Sequence, residues 1–178
     1  MTKRITISTL DAMKSSGDKF VMITAYDATF ARLASEAGAE TILVGDSLGM
    51  VLQGHETTIP VSLDAMVYHT ECVARAKPRS LIVADLPFMS FSNSDDALHA
   101  STQLMQAGAQ MVKLEGGTWL SDSINRLVER GVPVCAHLGL TPQSVNVFGG
   151  YRVKGRTPKK AKTNLADAAE IQEAGDSL

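Results

Sequence analysis

The strongest constraint on the fold is a repeated pattern in which a short apolar run, rich in β-branched residues, leads into a polar side chain. The apolar runs are 20–24, 41–44, 81–84, 111–114 and 133–136. Because they are almost continuously apolar, they predict strands covered on both faces. Segments of helical periodicity lie between them, and several end at a glycine, as helices in α/β folds often do. The repeat spacing of about 25–40 residues is typical of βα units around a parallel sheet.

Two architectures accommodate five such units and the start of a sixth. One is an open, doubly wound sheet, and the other is the first part of a (β/α)8 TIM barrel. A closed barrel needs about 250 residues, whereas this chain has 178. A helical pattern ends at Gly175, where a further strand should begin. We therefore predict an α/β fold: a single barrel domain over 1–178, represented by its first five to six βα units, with the C-terminal part of the barrel absent from this sequence.

Charge and composition exclude several functional classes. The chain has 17 basic and 19 acidic residues and a net charge of -2, which argues against a nucleic-acid binder. No apolar stretch approaches the roughly 20 residues of a membrane span, and the N-terminus lacks the apolar region of a secretory signal. Cys72 and Cys135 lie far apart and form no CxxC motif, which favours a cytoplasmic setting over a disulfide or zinc framework.

Acidic side chains end three consecutive predicted strands. Asp46 ends TILVGD, Asp85 ends LIVAD and Glu115 ends MVKLE. Because the carboxyl ends of parallel strands meet at one edge of the sheet, these acids are expected to surround a small space. Buried carboxylates repel one another, and a divalent cation bound by oxygen ligands, such as Mg²⁺, removes that repulsion. The alternative, that each acid caps a helix or forms a turn, stays open.

Three further side chains are candidates for the same site. Lys113 shares a strand face with Glu115, so it either meets a substrate carboxylate or forms a structural ion pair with the acids. Ser47 follows Asp46 and either contacts an anion or caps a helix. His137, at the end of PVCAH, either orients groups in the site or is a structural histidine.

A basic, glycine-hinged segment covers 152–162. Two interpretations fit it: a solvated, mobile connection, or a lid near the active face that attracts anions. Its basic residues are Arg152, Lys154, Arg156, Lys159, Lys160 and Lys162.

Several longer motifs resemble one known family, ketopantoate hydroxymethyltransferase. These motifs are ITAYDATFARLASEAG, ILVGDSLGMVLQGHETTIPVSLDAMVYHT, ADLPFMSF, GAQMVKLEGG and VPVCAHLGLTPQSVNVFGGYRVKGR. The resemblance covers the chain to about Arg156 and, more loosely, the remainder. It implies a (β/α)8 barrel that assembles into a homo-oligomer, a decamer in the family, and binds neither nucleic acid nor a membrane.

The resemblance also implies an activity. The family uses Mg²⁺ and 5,10-methylenetetrahydrofolate to add a hydroxymethyl group to 3-methyl-2-oxobutanoate by way of a Mg²⁺-chelated enolate. The product is 2-dehydropantoate, an intermediate of pantothenate and coenzyme A biosynthesis. By this resemblance the metal ligands are Asp46, Asp85 and Glu115, and the substrate-binding residues are Asp46, Ser47, Asp85 and Lys113. His137 is a candidate accessory residue because of its position at a strand end, and the resemblance assigns it no role.

The family's proton-accepting glutamate lies on the strand that follows, in a segment resembling LECVP. The resemblance places that glutamate beyond Leu178, so no catalytic base is assigned within this chain. Two alternatives to the transferase therefore stay open. One is an inactive truncated fragment, and the other is a Mg²⁺-dependent lyase or mutase that acts on a different 2-oxo acid.

Overall fold

A computed structural model describes residues 3–151 and 153–178. In this part of the chain, five strands form one sheet in which every neighbouring pair is parallel. The strands are β1 (Met22–Thr24), β2 (Thr41–Val44), β3 (Leu81–Asp85), β4 (Met111–Glu115) and β5 (Val134–His137). Each coincides with a predicted apolar run to within one or two residues, so the predicted strands are confirmed.

The order of the strands decides between the two predicted architectures. Their order in space, β1-β2-β3-β4-β5, is the same as their order in the chain. A doubly wound sheet would reverse direction at a switch point, whereas a barrel adds each strand beside the previous one. The sheet is therefore an arc of a (β/α)8 barrel, and the predicted fold class is confirmed. Beside β5, the Ser177 amide donates to the Val134 carbonyl (3.0 Å) and the Ala136 amide to Asp176 Oδ1 (2.8 Å).

Eight α-helices lie within the described residues. They are α1 (Ile7–Ser16), α2 (Ala28–Glu36), α3 (Leu48–Val51), α4 (Leu63–Arg75), α5 (Ser94–Gln106), α6 (Ser121–Glu129), α7 (Val145–Phe148) and α8 (Pro158–Glu173). The neighbouring outer helices α2, α4, α5, α6 and α8 contact one another in chain order. Their buried side chains join those of alternate strand residues, such as Ile82 and Val112, in the larger apolar core.

The other strand residues face the barrel interior. Leu81, Val83 and Met111 form a second apolar cluster there, together with Leu10 of α1. Sequence periodicity did not predict α1, although Thr6 and Thr9 form a reciprocal capping box at its start. Leu10 is the buried residue of this helix, and it covers the interior side chains near the amino ends of the strands.

Candidate functional site

Four polar side chains extend the interior face of the sheet toward its carboxyl edge. Strand residues alternate between the two faces, so Asp85 follows Val83 on the interior face, and Lys113 and Glu115 follow Met111. The register pairs Asp85 with Lys113 across β3 and β4, and Glu115 with His137 across β4 and β5. Strand alternation and register together bring these predicted site residues to one edge.

Asp46 and Ser47 reach the same edge from the turn after β2. The Asp46 amide donates to Asp85 Oδ2 (3.1 Å), and Ser47 Oγ forms a hydrogen bond with Tyr26 Oη (2.9 Å). Gly45 permits this approach, because a Cβ there would lie 2.8 Å from Ser47 Oγ and 3.4 Å from Asp85 Oδ2. A side chain at position 45 would therefore displace the groups that form the site.

Lys113 lies between two of the acids. Its ammonium forms an ion pair with Asp85 Oδ1 and lies 3.9 Å from Glu115 Oε1. The structural ion pair that was one of the two interpretations of Lys113 is thus present. The same position would let this ammonium meet the carboxylate of a bound acid, so contact with substrate stays a prediction.

Two residues of the segment after β4 complete the surroundings of Glu115. His137 Nδ1 lies 2.9 Å from Glu115 Oε1, and the Gln143 amide N–H donates to Glu115 Oε2 (3.0 Å). The Gln143 side chain also donates to Asp46 Oδ2 (2.8 Å). The sequence analysis did not select Gln143. Neither strand periodicity nor charge distinguishes Gln143 in the sequence. The one feature that could have identified it is its position in GLTPQSV, which is part of a motif that resembles the family.

Burial determines the electrostatics of this cluster. Asp46, Asp85 and Glu115 are all less than a tenth exposed. Burial, and next the charge of Asp85, raise the pKa of Asp46 to about 7. Burial also raises the pKa of Asp85, although Lys113 opposes this shift. Burial disfavours the charged form of Lys113, yet ion pairing with Asp85 and the charges of Glu115 and Asp46 together raise the pKa of its ammonium.

The donor chemistry of this cluster fits a hard divalent cation. Three buried carboxylates face one lysine, and burial, with the charge of Asp85 next, raises the pKa of Asp46, so a cation beside these acids would favour their charged forms. All the acidic donors are oxygen atoms, as Mg²⁺ prefers. Across 3–151 and 153–178, however, no three His, Cys, Asp or Glu side chains are already arranged as a metal site. The predicted acids are brought into one network, but a finished three-acid cage is not preformed.

A family model matches the part of the chain that contains these site residues. The model described as ketopantoate hydroxymethyltransferase matches residues 4–178. The chain belongs to the ketopantoate hydroxymethyltransferase family. The predicted resemblance is therefore confirmed over nearly the whole chain.

Curated relatives in this family are highly similar to the chain. The 3-methyl-2-oxobutanoate hydroxymethyltransferase of Marinobacter nauticus is 58% identical over 174 residues, which cover 98% of this chain and 66% of the relative. The protein of the same name from Burkholderia vietnamiensis is 59% identical over 174 residues, covering 98% of this chain and 64% of the relative. The chain thus spans slightly less than two thirds of the length of these relatives.

Solved structures share the fold at much lower identity. A phosphonopyruvate hydrolase in complex with oxalate and Mg²⁺ has a TM-score of 0.71 and 18% identity, over 96% of this chain and 60% of that one. A 2,3-dimethylmalate lyase of the PEP mutase/isocitrate lyase superfamily has a TM-score of 0.67 and 16% identity, also over 96% and 60%. These similarities support the barrel architecture of the family.

An apolar cavity of about 140 Å³ adjoins the acidic cluster of this family member. Glu115 and Gln143 form its polar side, and its other lining residues are Phe88, Met89, Phe91, Ser92, Trp119 and Ser144. The rings of Phe91 and Trp119 stack with centroids 6.0 Å apart. A larger cleft of about 930 Å³, lined by Arg4, Lys77 and Arg79 among others, contains none of the predicted site residues.

The basic segment is partly helical. Arg152 lies outside the described residues, while Lys159, Lys160 and Lys162 belong to α8 and not to a loop. The ammonium of Lys154 lies 2.9 Å from the centre of the Phe148 ring. A glycine-hinged connection therefore covers only the first half of the segment, and its role as a lid stays a prediction. None of the described helices is both long and apolar enough to cross a bilayer.

Cys135 is expected to react slowly with alkylating reagents. It lies on the interior face of β5, where burial raises the pKa of its thiol to about 12, so almost no thiolate forms at pH 8. Iodoacetamide should therefore modify Cys72 of α4 at least about tenfold faster, as measured by peptide mass spectrometry. In denaturant the two rates should become similar, and equal rates in the native protein would contradict the placement of Cys135.

Proposed function

We propose that this chain forms the cation site and the oxo-acid site of a 3-methyl-2-oxobutanoate hydroxymethyltransferase. In this reaction C3 of the oxo acid loses a proton and bonds the one-carbon unit of 5,10-methylenetetrahydrofolate, and water supplies the hydroxyl group of the product. The names of relatives at 58% and 59% identity support the activity. The observation that carries the proposal is the network of three buried carboxylates around one buried lysine at the carboxyl ends of the strands.

The acids would hold the divalent cation. Asp46 and Asp85 are adjacent through the hydrogen bond between the Asp46 amide and Asp85 Oδ2, and Glu115 joins them through Lys113 and Gln143. Each carboxylate oxygen has two lone pairs, so an oxygen that already accepts one hydrogen bond can still bind a cation. When bound, Mg²⁺ would polarise the carbonyl of a 2-oxo acid and acidify the neighbouring C–H.

The side chains of Lys113 and Ser47 would bind the carboxylate of the oxo acid. Lys113 offers a buried positive charge, and its raised pKa keeps it protonated at neutral pH. Tyr26 holds the hydroxyl of Ser47 at the same edge of the sheet. His137 would keep Glu115 oriented through the contact between Nδ1 and Oε1. The family resemblance assigns none of the residues named here as the base that removes the C3 proton.

The transferase is favoured over a lyase or mutase acting on another 2-oxo acid. The lyase and hydrolase structures share the fold at 16% and 18% identity, far below the 58% and 59% of the hydroxymethyltransferases. The use of folate as the one-carbon donor, homo-oligomeric assembly and a cytoplasmic location belong to this proposal.

Binding of the oxo acid should depend on both Mg²⁺ and Asp46. Calorimetric titration of the protein with 3-methyl-2-oxobutanoate is expected to give heat of binding with Mg²⁺ and none after chelation. Asp46→Ala should abolish the Mg²⁺-dependent signal and leave the fold intact, because it removes one ligand from the edge of the site. With methylenetetrahydrofolate present, formation of 2-dehydropantoate should be lost as well.

Asp64→Ala provides the matched control, since Asp64 is an exposed carboxylate in the first turn of α4. It should bind both Mg²⁺ and the oxo acid as the unmodified protein does. Binding of the oxo acid at equal affinity with and without Mg²⁺, or full retention of binding by Asp46→Ala, would overturn the proposed function.

A further inference from the structure

Gln143 contacts the carboxyl ends of three neighbouring strands. It lies in the 3₁₀ turn Pro142–Ser144 and is only 6% exposed. Its side-chain Nε2 donates to Asp46 Oδ2 (2.8 Å) and to the carbonyl of Leu86 (2.9 Å), while its backbone N–H donates to Glu115 Oε2 (3.0 Å). One residue thus joins the ends of β2, β3 and β4.

These contacts fix the orientation of the Gln143 amide. Both partners of Nε2 are acceptors, a carboxylate and a backbone carbonyl, so the NH₂ group and not the oxygen must face them. Leu86 lies directly after β3, and its own amide donates to the carbonyl of Lys113 in β4. The amide of Gln143 is therefore held against a rigid part of the sheet.

The same contacts leave one carboxylate oxygen of the cluster without a hydrogen-bond donor. Lys113 and the Asp46 amide occupy the two oxygens of Asp85, and His137 and the Gln143 amide occupy those of Glu115. Asp46 Oδ2 accepts from the Gln143 side chain. Within 3–151 and 153–178, no hydrogen bond reaches Asp46 Oδ1.

We propose that Gln143 is a positioning residue of the cation site, which fixes the carboxylate of Asp46 so that Oδ1 stays available to a divalent cation. The terminal torsion of an aspartate is broad, so a carboxylate without a fixed partner can rotate. The hydrogen bond from Gln143 restricts that rotation before the cation arrives, which reduces the loss of freedom on binding. This inference rests on the proposed function, because it assumes that Asp46 binds the cation.

Gln143→Met tests the side chain alone. Methionine retains much of the length and volume of glutamine and removes both side-chain donors, while the backbone N–H that serves Glu115 remains. Calorimetric titration with Mg²⁺ alone should show a dissociation constant raised about 10–100-fold, the usual effect of removing a residue that orients a metal ligand. A dissociation constant within about twofold of the unmodified protein would overturn the inference.

Gln110→Met is the matched control. Gln110 Oε1 accepts a hydrogen bond from the Ile82 amide (3.2 Å) near the amino end of β3, and within the described ranges no hydrogen bond joins its side chain to the three acids. This variant also loses a glutamine hydrogen bond to the same strand, but its affinity for Mg²⁺ should not change. If both variants lost affinity equally, Gln143 would be a structural residue only and the inference would fail.

The unmodified protein separates this inference from the proposed function. If it binds no Mg²⁺, the proposed function fails and the inference fails with it, whereas normal binding by Gln143→Met overturns the inference alone. Should Gln143→Met not fold, the ¹⁵N-labelled unmodified protein provides the test. The side-chain NH₂ signals of Gln143 should shift on addition of Mg²⁺ while those of Gln110 do not, and unshifted Gln143 signals would overturn the inference.

Discussion

Replacing Asp85 with alanine is expected to destabilise the protein by about 3–5 kcal/mol, the usual result of removing one partner of a buried ion pair. Lys113 would lose its ion-pair partner and keep its charge inside the barrel, with Glu115, 3.9 Å away, and Asp46 left to compensate it. The Asp46 amide would also lose its acceptor at 3.1 Å. Urea unfolding followed by circular dichroism measures this change in the free energy of unfolding.

The double variant Asp85→Ala/Lys113→Met shows whether the unpaired charge is the cause. Removing both charges leaves no buried ammonium without a partner, so the double variant should be more stable than Asp85→Ala alone. The comparison is with Lys113→Met in the otherwise unmodified protein. If Lys113→Met lowers the free energy of unfolding by the same amount in both backgrounds, the two side chains are independent, and the ion pair does not explain the loss.

Asp46→Asn should have the opposite effect on stability in the absence of a metal ion. Burial and the charge of Asp85 disfavour an ionised Asp46, and asparagine keeps an oxygen that can accept from Gln143. At pH 8, with chelator, the variant is expected to gain at least about 1 kcal/mol, or about 2–4 °C in melting temperature. Thermal unfolding followed by circular dichroism measures this gain.

The sign of the pH dependence follows from the raised pKa of Asp46. The folded protein holds the proton of this carboxyl up to about pH 7, whereas an unfolded chain releases it near 3.8. The unmodified protein therefore loses stability as the pH rises between about 4 and 7, and asparagine does not titrate. The advantage of Asp46→Asn should grow across that range and be small at pH 4.

Saturating Mg²⁺ should reverse this order. A cation that binds only the folded state stabilises the unmodified protein and should stabilise Asp46→Asn much less, because asparagine has no negative charge and carries an NH₂ group in place of one carboxylate oxygen. An asparagine variant that is less stable than the unmodified protein at pH 8 in chelator would contradict the description of Asp46 as a buried, incompletely compensated charge.

Local sequence patterns were sufficient for much of the fold. The apolar runs identified all five strands of the described sheet, because a strand covered on both faces must be apolar at nearly every position. Helix packing was predicted less well. The apolar spacing of Phe30, Leu33, Ala34 and Ala37 indicates one helical stripe, yet Phe30 and Leu33 are more than half exposed. The buried residues of α2 include Ala34 of that stripe and Ala31. The small side chains allow a closer approach to β2 and α4, a choice that depends on the neighbouring elements and not on periodicity.

The acids of the candidate site were predicted from the strand ends. Their partners could be identified only from contacts between residues that lie far apart in the sequence. Asp46, Asp85 and Glu115 could be located because each follows or ends an apolar run, and parallel strands bring such ends together. The partner of Asp46 could not be found this way. Gln143 reaches it from 97 positions further along the chain, and only the path of the turn after β5 brings the two together.

The sequence by itself therefore determined the five strands, through their apolar runs, and the gathering of the three acids at the strand ends, because the carboxyl ends of parallel strands lie at one edge of the sheet. The tertiary structure decided the rest. It gave the consecutive strand order of a barrel, packed Leu10 of α1 against the interior cluster, paired Lys113 with Asp85, and left Asp46 Oδ1 as the acceptor without a donor in the described network. These features depend on distances between residues far apart in the chain, and such distances are set only when the strands are assembled side by side.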